Sequence, residues 1–332
     1  MASPNATFTE MVTTTLRNHK RKLADNVTNH NALLRLMKER GNIKKEGGGY
    51  EIAVPLSYPE NDTYQRYSGG DTLNIAQSDV LTAAKYDWKQ AAVHVTATGR
   101  ELKQNKGTEK LIDLVEARLE VAFATAANTM SVDIYSSGAL TNQVGGLAHI
   151  ITADGTGTVG GIDASTYTWW KNKFQEITGG EVAQDGALVG TALTFANLKA
   201  AMRSLYTATT RHPDHVDLIT ASNDMYSLYV NGLTDYQRYA SADMAKLGFQ
   251  AVMFDKASVI HDNNTNFGTN AEIMYFLNTK HLYMIVHEDA DWDQDEEKAP
   301  INQDAVVIPI YWMGNMCCAN RSLQGKLHDI AT

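Results

Sequence analysis

Residues 301–327, INQDAVVIPIYWMGNMCCANRSLQGKL, decide how this chain is read, because they carry a pattern and no chemistry. The run 305–312 is apolar and β-branched, which predicts a buried strand. Pro309 inside it removes a ladder donor, so the strand is expected to be an edge or to carry a bulge there. Gly314-Asn315 is expected to punctuate it, and Asn320-Arg321 with Gln324-Gly325 to end it in polar turns. Cys317 and Cys318, the only cysteines, are adjacent. Neighbours in a strand point to opposite faces, so an easy disulfide between them is not expected, and both fit buried thiols of a reduced cytoplasmic protein. Nothing here offers a nucleophile with its base, a ligand set or a phosphate loop.

Upstream of that block the pattern is mixed α/β. Strands are expected at 251–254, 273–277 and 282–286, and at 216–220 leading into a helix capped by Ser222. Phe195, Leu198, Met202 and Leu205 mark a helix capped by Thr194. Further back, Leu111, Val115, Leu119, Ala122, Ala126 and Met130 recur at three- and four-residue steps, the helical period. Thr108 can cap this helix and Ser136-Ser137-Gly138 can stop it, giving a rod of roughly 40 Å. Before it, Tyr50, Ile52, Val54, Leu56 and Tyr58 alternate with mostly polar neighbours, as in a half-buried strand. A second strand is expected at 91–97, with a polar, glycine-containing excursion from 59 to 78 between the two. That arrangement reads as a finger projecting from a body, and an isolated ribbon needs a neighbour to be stable.

The length of 332 residues suffices for a substantial core, and 43% hydrophobic with 20% charged residues argues against wholesale disorder. The net charge of −9 is unevenly spread. Residues 1–45 hold nine Lys and Arg against Glu10, Asp25 and Glu39, a net of +6 that leaves −15 for the remainder. An arm so charged is expected to meet a polyanion or an acidic surface. No segment approaches the ~18 apolar residues of a membrane span, so no membrane partner is expected.

Three features invite a chemical reading. Gly155-Thr156-Gly157-Thr158-Val159-Gly160 matches GxGxxG, with 149–153 as the possible strand before it, but no helix opening follows to face a pyrophosphate. A flexible surface loop is the better expectation. His212-Pro213-Asp214-His215 could be a metal cluster, yet the proline disfavours a helix and a turn explains the same residues. Asp289, Asp291, Asp293 and Asp295 alternate like a calcium loop, but Gln294 stands where the turn glycine belongs and Pro300 where the final Glu belongs. A solvated acidic loop is expected instead. Thr168-Trp169-Trp170-Lys171-Asn172 is expected to pack at a core or subunit contact rather than to stack on a ligand. No catalytic residue, cofactor site or metal site is therefore assigned, and an enzyme is not expected.

The block 301–327 resembles the C-terminal end of tailed-bacteriophage major capsid proteins with the Hong Kong 97 fold. Their QDA…W-G-N…C-x-N-R…Q-G pattern stands here as Gln303-Asp304-Ala305, Trp312-Met313-Gly314-Asn315, Cys318-Ala319-Asn320-Arg321 and Gln324-Gly325. Residues 67–90, 168–172 and the long helix between them fit the same family in the same order. The resemblance implies an α+β fold of five parts. These are an N-terminal arm (1–47), an extended two-stranded β loop with its base (48–98), a spine helix in a peripheral domain (99–145), a mainly axial mixed α/β domain with returning peripheral strands (146–300), and a C-terminal strand block (301–332). It also implies pentamers and hexamers closed into an icosahedral virion shell around double-stranded DNA, bound without sequence preference, and assembled in the host cytoplasm. Any scaffolding protein is expected to be a separate chain, and a portal and a decoration protein are further candidate partners. An encapsulin-like cargo shell is the rival on the same fold. A nucleotide- or metal-dependent enzyme built on the Gly155 loop or the His212 turn is the unrelated one.

Overall fold

The strand Ala305–Cys318 is the longest in the protein as described and organises the first of its two cores. The structure, a computed structural model, describes residues 32–61, 63–76, 79–104, 114–177, 193–233, 252–262, 267, 272–295, 298–299 and 303–329. In chain order the strands are β1 (Ile43–Glu46), β2 (Ile52–Ser57), β3 (Leu81–Tyr86), β4 (Lys89–Thr98), β5 (Thr158–Val159), β6 (Ile162–Asp163), β7 (Lys173–Glu176), β8 (Leu218–Ala221), β9 (Val252–Phe254), β10 (Ala257–His261), β11 (Ile273–Leu277), β12 (Leu282–Gln294), β13 (Ala305–Cys318) and β14 (Gly325–His328). The main helices are Ala32–Glu39, Leu114–Tyr135, Phe195–Thr209 and Asn223–Gly232.

A four-stranded sheet runs in the order β1-β12-β13-β4. β13 is thus flanked on both sides and is not the edge that Pro309 suggested. The proline is tolerated because it falls where β12 ends. Its carbonyl accepts from the Asp295 N–H at 3.0 Å, just past Gln294, so the ladder loses one donor at its last rung. The strand also continues through Gly314-Asn315 instead of stopping there.

The finger is present with a different returning strand. β2 pairs antiparallel with β3, from Ile52↔Tyr86 to Ser57↔Leu81. The expected partner at 91–97 alternates as predicted but lies in β4 and pairs with β13. Ile52, Val54 and Leu56 are buried while Ala53, Pro55 and Ser57 are exposed, so the stem of the ribbon belongs to the first core.

The long helix runs Leu114–Tyr135, roughly 33 Å at 1.5 Å per residue. Ala122, Ala126, Met130 and Ile134 form its buried line, and Leu119 is half-buried against Val95, Ile308 and Ile310. Its expected cap at Thr108 and the side chains of Leu111 and Val115 lie outside the described residues. Ahead of the finger, helix Ala32–Glu39 buries Ala32, Leu33, Leu36 and Met37. Asp262 fixes this helix in place. One carboxylate oxygen accepts from the Leu33 N–H (3.2 Å) and from the Tyr135 hydroxyl (3.1 Å) at the end of the long helix. The basic residues of 1–31 lie outside the described residues.

The second sheet runs β7-β14-β11-β8-β10-β9, and its strands β8, β10 and β11 are buried on both faces, which explains their nearly continuous apolar runs. Tyr275 and Leu277 of β11 enter the first core, and Met274 and Phe276 enter the second. Helices Phe195–Thr209 and Asn223–Gly232 close the second core. Thr194 caps the former as expected, accepting from Asn197 N–H at 3.3 Å. Ser222 sits at the N-cap of the latter without a side-chain cap bond.

On β14, His328 is buried and its Nδ1 has no hydrogen-bond partner among the described residues. Burial first, then the Lys326 ammonium, pushes its pKa down to about 4. Between that value and an unfolded value near 6.5 the unfolded chain binds the extra proton, so stability falls as pH drops through this window. His328→Leu is expected to flatten the slope of stability against pH from about 6.5 to 4, read by urea titrations at half-unit steps. An unchanged slope would contradict the assignment.

Candidate assembly surfaces and the signature residues

The signature residues of the C-terminal block are structural, each for a stated reason. Trp312 is buried. A side chain at Gly314 would put Cβ 2.5 Å from the Ile285 carbonyl and 2.8 Å from the Trp312 ring, so only glycine lets β12 and the indole approach. Asn315 donates from Nδ2 to the Asp87 carbonyl (2.8 Å) and accepts at Oδ1 from the Gly145 N–H (3.2 Å). It thereby ties β13 to the β3–β4 turn and to the chain leaving the long helix. The Tyr86 hydroxyl donates to the Cys318 carbonyl (3.0 Å) and accepts from its N–H (3.2 Å), bolting the finger stem to β13. Both cysteines are free and buried as expected, and burial pushes the Cys318 thiol up to about 12. Gln324 imitates a strand neighbour, its amide exchanging bonds of 3.0 and 3.1 Å with the backbone of Asn278.

Arg321 is completely buried. Its Nε donates to the Ile150 carbonyl (2.5 Å), Nη2 to the Thr156 carbonyl (2.8 Å) and Thr152 Oγ1 (3.1 Å), and Nη1 to the Gly157 carbonyl (3.4 Å). None of these described partners is a carboxylate. The GxGxxG segment is therefore a cage of carbonyls around a cation, the reverse polarity of a loop that cradles phosphate with N–H groups. Gly155, Val159 and Gly160 are buried, so it is not the flexible surface loop that its composition suggested. Positive φ at Gly155 (72°), Gly157 (88°) and Gly160 (60°) lets the backbone turn its carbonyls inward.

The other chemical readings resolve into packing and ion pairs. Asp214 of the histidine turn meets Lys280 Nζ (2.7 Å) and His281 Nε2 (3.4 Å). No group of three or more His, Cys, Asp or Glu that could hold a metal occurs among the described residues. The acidic alternation lies in the outer half of β12 rather than in a loop, with Asp291 on Lys45 (2.8 Å) and Asp295 on Lys298. Trp170 is buried and donates to the Val159 carbonyl (3.0 Å), while Trp169 packs edge-on against it and beside Tyr58 at the foot of the finger.

Several of the large apolar side chains that stay exposed lie on the finger. Ile75 is 93% exposed and Tyr64 83%, and Tyr67, Leu73 and Leu81 join them. The tip holds its shape through Gln65, which donates to the Thr72 carbonyl and accepts from the Asn74 N–H, both at 3.1 Å, without any core of its own. The outer face of the long helix adds Val121, Phe123 and Val132. Beside it, the free edge of β4 is occupied by Arg118, which donates to the Thr96 carbonyl (2.7 Å) and pairs with Glu101 (3.1 Å). The Arg118 guanidinium, with the Thr98 N–H, holds the Glu101 carboxyl down to about 2.

No family model and no curated protein matches the sequence. Solved structures do match the fold over nearly the whole chain. A chain of the cyanophage A-1(L) capsid asymmetric unit superposes with a TM-score of 0.70 at 16% identity, covering 95% of this chain and 97% of that one. The capsid of cyanophage P-SCSP1u gives 0.59 at 11% identity, covering 97% and 94%. The capsid of Myoviridae phage XM1 gives 0.55 at 12%, covering 95% and 97%. The chain therefore has the Hong Kong 97 type of fold found in tailed-phage capsid proteins, as the C-terminal pattern suggested.

Proposed function

We propose that this chain is a structural major capsid protein, many copies of which form the pentamers and hexamers of an icosahedral phage head around double-stranded DNA. The observation that carries the reading is the finger, a ribbon with a buried stem and an exposed apolar tip on a fold shared with phage capsids. A projection without a core is stable in water only against a neighbour, and the repeated neighbour of a shell subunit is another copy of itself. Its binding energy is spread over finger, helix face and sheet edges rather than gathered in a catalytic pocket. Negative-stain microscopy of the purified chain, alone and with a candidate scaffold, tests it, with closed shells as the expected result. Particles that stay monomeric under every condition count against it, and shells lacking DNA in infected cells would favour the cargo-shell rival.

The basic arm belongs to the same proposal, as the part that meets an acidic scaffold, a neighbour or the packaged DNA. Attraction to nucleic acid through Lys and Arg is steeply salt-dependent, whereas apolar contacts between bodies are not. Neutralising Arg17, Lys20, Arg21 and Lys22 together is expected to weaken assembly or scaffold recruitment at moderate salt without unfolding the monomer. Sedimentation across a salt series reads this out, and superimposable wild-type and mutant profiles would remove the arm from the mechanism.

A further inference from the structure

A polar pocket of about 260 Å³ opens between the finger stem and the glycine loop. Lys85, Asp87, Lys89, Gln143, His149 and the Gly160-Gly161 tip line it. Two of these side chains are engaged elsewhere: Lys85 with Glu51 (2.5 Å), and Gln143 with Asp133 (2.9 Å). Lys89 and the His149 ring have no hydrogen-bond or ion-pair partner among the described residues. Gly160 and Gly161 bring no side chains into the space, and a Cβ at Gly160 would collide with Ala84 at 2.8 Å.

Lys85 shares its charge with Glu51 on the rim, whereas no carboxylate, Asp87 of the same lining included, makes an ion pair with Lys89 among the described residues. Arg321, whose hydrogen bonds go to carbonyls and a hydroxyl, adds a positive charge that acts on His149 and that Asp154 offsets in part. His149 registers this field. Burial first, then Arg321 and Lys89, holds its pKa below the usual histidine range. A bound anion would offset the repulsion from these cations, because it pairs with Lys89 and favours the imidazolium.

We propose that this pocket binds one small oxyanion, a phosphate-like dianion or a carboxylate, with Lys89 and protonated His149 as its charged partners. Binding and protonation of His149 are then linked, so affinity rises as pH falls toward the histidine range.

Equilibrium dialysis of the full chain against radiolabelled sulfate, at fixed ionic strength and at pH 6 and pH 8, tests this, since sulfate stays a dianion throughout. One sulfate per chain is expected, held several-fold more tightly at pH 6. Lys89→Met is expected to weaken binding about tenfold, the loss of one charge-assisted contact, and Lys89→Arg to restore most of it. His149→Gln keeps a site but loses the pH dependence. Competition by phosphate and, separately, by acetate tells which oxyanion class the pocket prefers. Substoichiometric sulfate, or equal affinity in wild type and a normally melting Lys89→Met, overturns the proposal.

Discussion

Replacing residues 59–78 with a short Gly-Ser turn is expected to leave a folded, soluble chain that forms no closed shell. The stem of the finger is part of the first core, through Ile52, Val54, Leu56, Ala84 and Tyr86. The tip is not, since Tyr64, Tyr67 and Ile75 stand in solvent. Removing it deletes exposed apolar area and a few local hydrogen bonds, so the thermal midpoint should move little. Under the proposed function, each intersubunit contact made by the tip would be lost in every copy, so the defect would multiply around a closed lattice. Electron microscopy of the shortened chain beside the wild type reads the outcome. Shells of normal size would mean that the tip is not an intersubunit element, while leaving the fold untouched.

Arg321→Met is expected to be among the most damaging single substitutions to the monomer. Methionine fills part of the volume but leaves the Ile150 carbonyl without a donor among the described residues, while the Thr156 and Gly157 carbonyls keep only the Thr152 hydroxyl and the Ala164 N–H. One buried acceptor left unpaired costs about 1–3 kcal/mol, and with the other charge-assisted bonds also lost a total on the order of 3 kcal/mol is a large share of the ~5–15 kcal/mol that holds a domain together. Arg321→Lys is little better, because one ammonium cannot reach acceptors arranged around a planar fork. Guanidinium denaturation should show the midpoint of both variants falling well below wild type. A midpoint unchanged within error would mean that the loop holds itself.

Much of this architecture was legible in the sequence because its parts have clean periods. Ile52, Val54 and Leu56 alternate and are buried in alternation. The long helix shows its line at Ala122, Ala126 and Met130, and the apolar runs 273–277 and 305–312 became strands. The partner of β2 was misread for a physical reason. Leu81-Thr-Ala-Ala-Lys-Tyr carries small residues and one exposed leucine, so its alternation is faint, whereas 91–97 alternates plainly while serving β13. The acidic end of β12 looked like a loop because its side chains have left the core while its backbone is still paired. Arg321 was read as turn chemistry because arginine is normally a surface residue, and nothing local reveals that three carbonyls from residues 150–157 converge on it. The exposed apolar tip was visible only as a polar, glycine-containing excursion. That Tyr64 and Ile75 inside it are exposed is a property of the ribbon's lack of a core.

The block Ala305–His328 completes both sheets, and this sets a schedule for making the protein. β13 fills the interior of one sheet and β14 an interior place in the other, and every strand they pair with, β4, β7, β11 and β12, precedes them in the chain. On a ribosome, β12 waits without β13, and β4 and β7 wait without any strand partner, until the closing block emerges. A nascent or prematurely ended chain therefore carries two unfinished sheets, and its finger lacks the Cys318 backbone that anchors Tyr86. Under the proposed function, a chain that stops short of this block cannot offer a neighbouring copy either a finished sheet or an anchored finger.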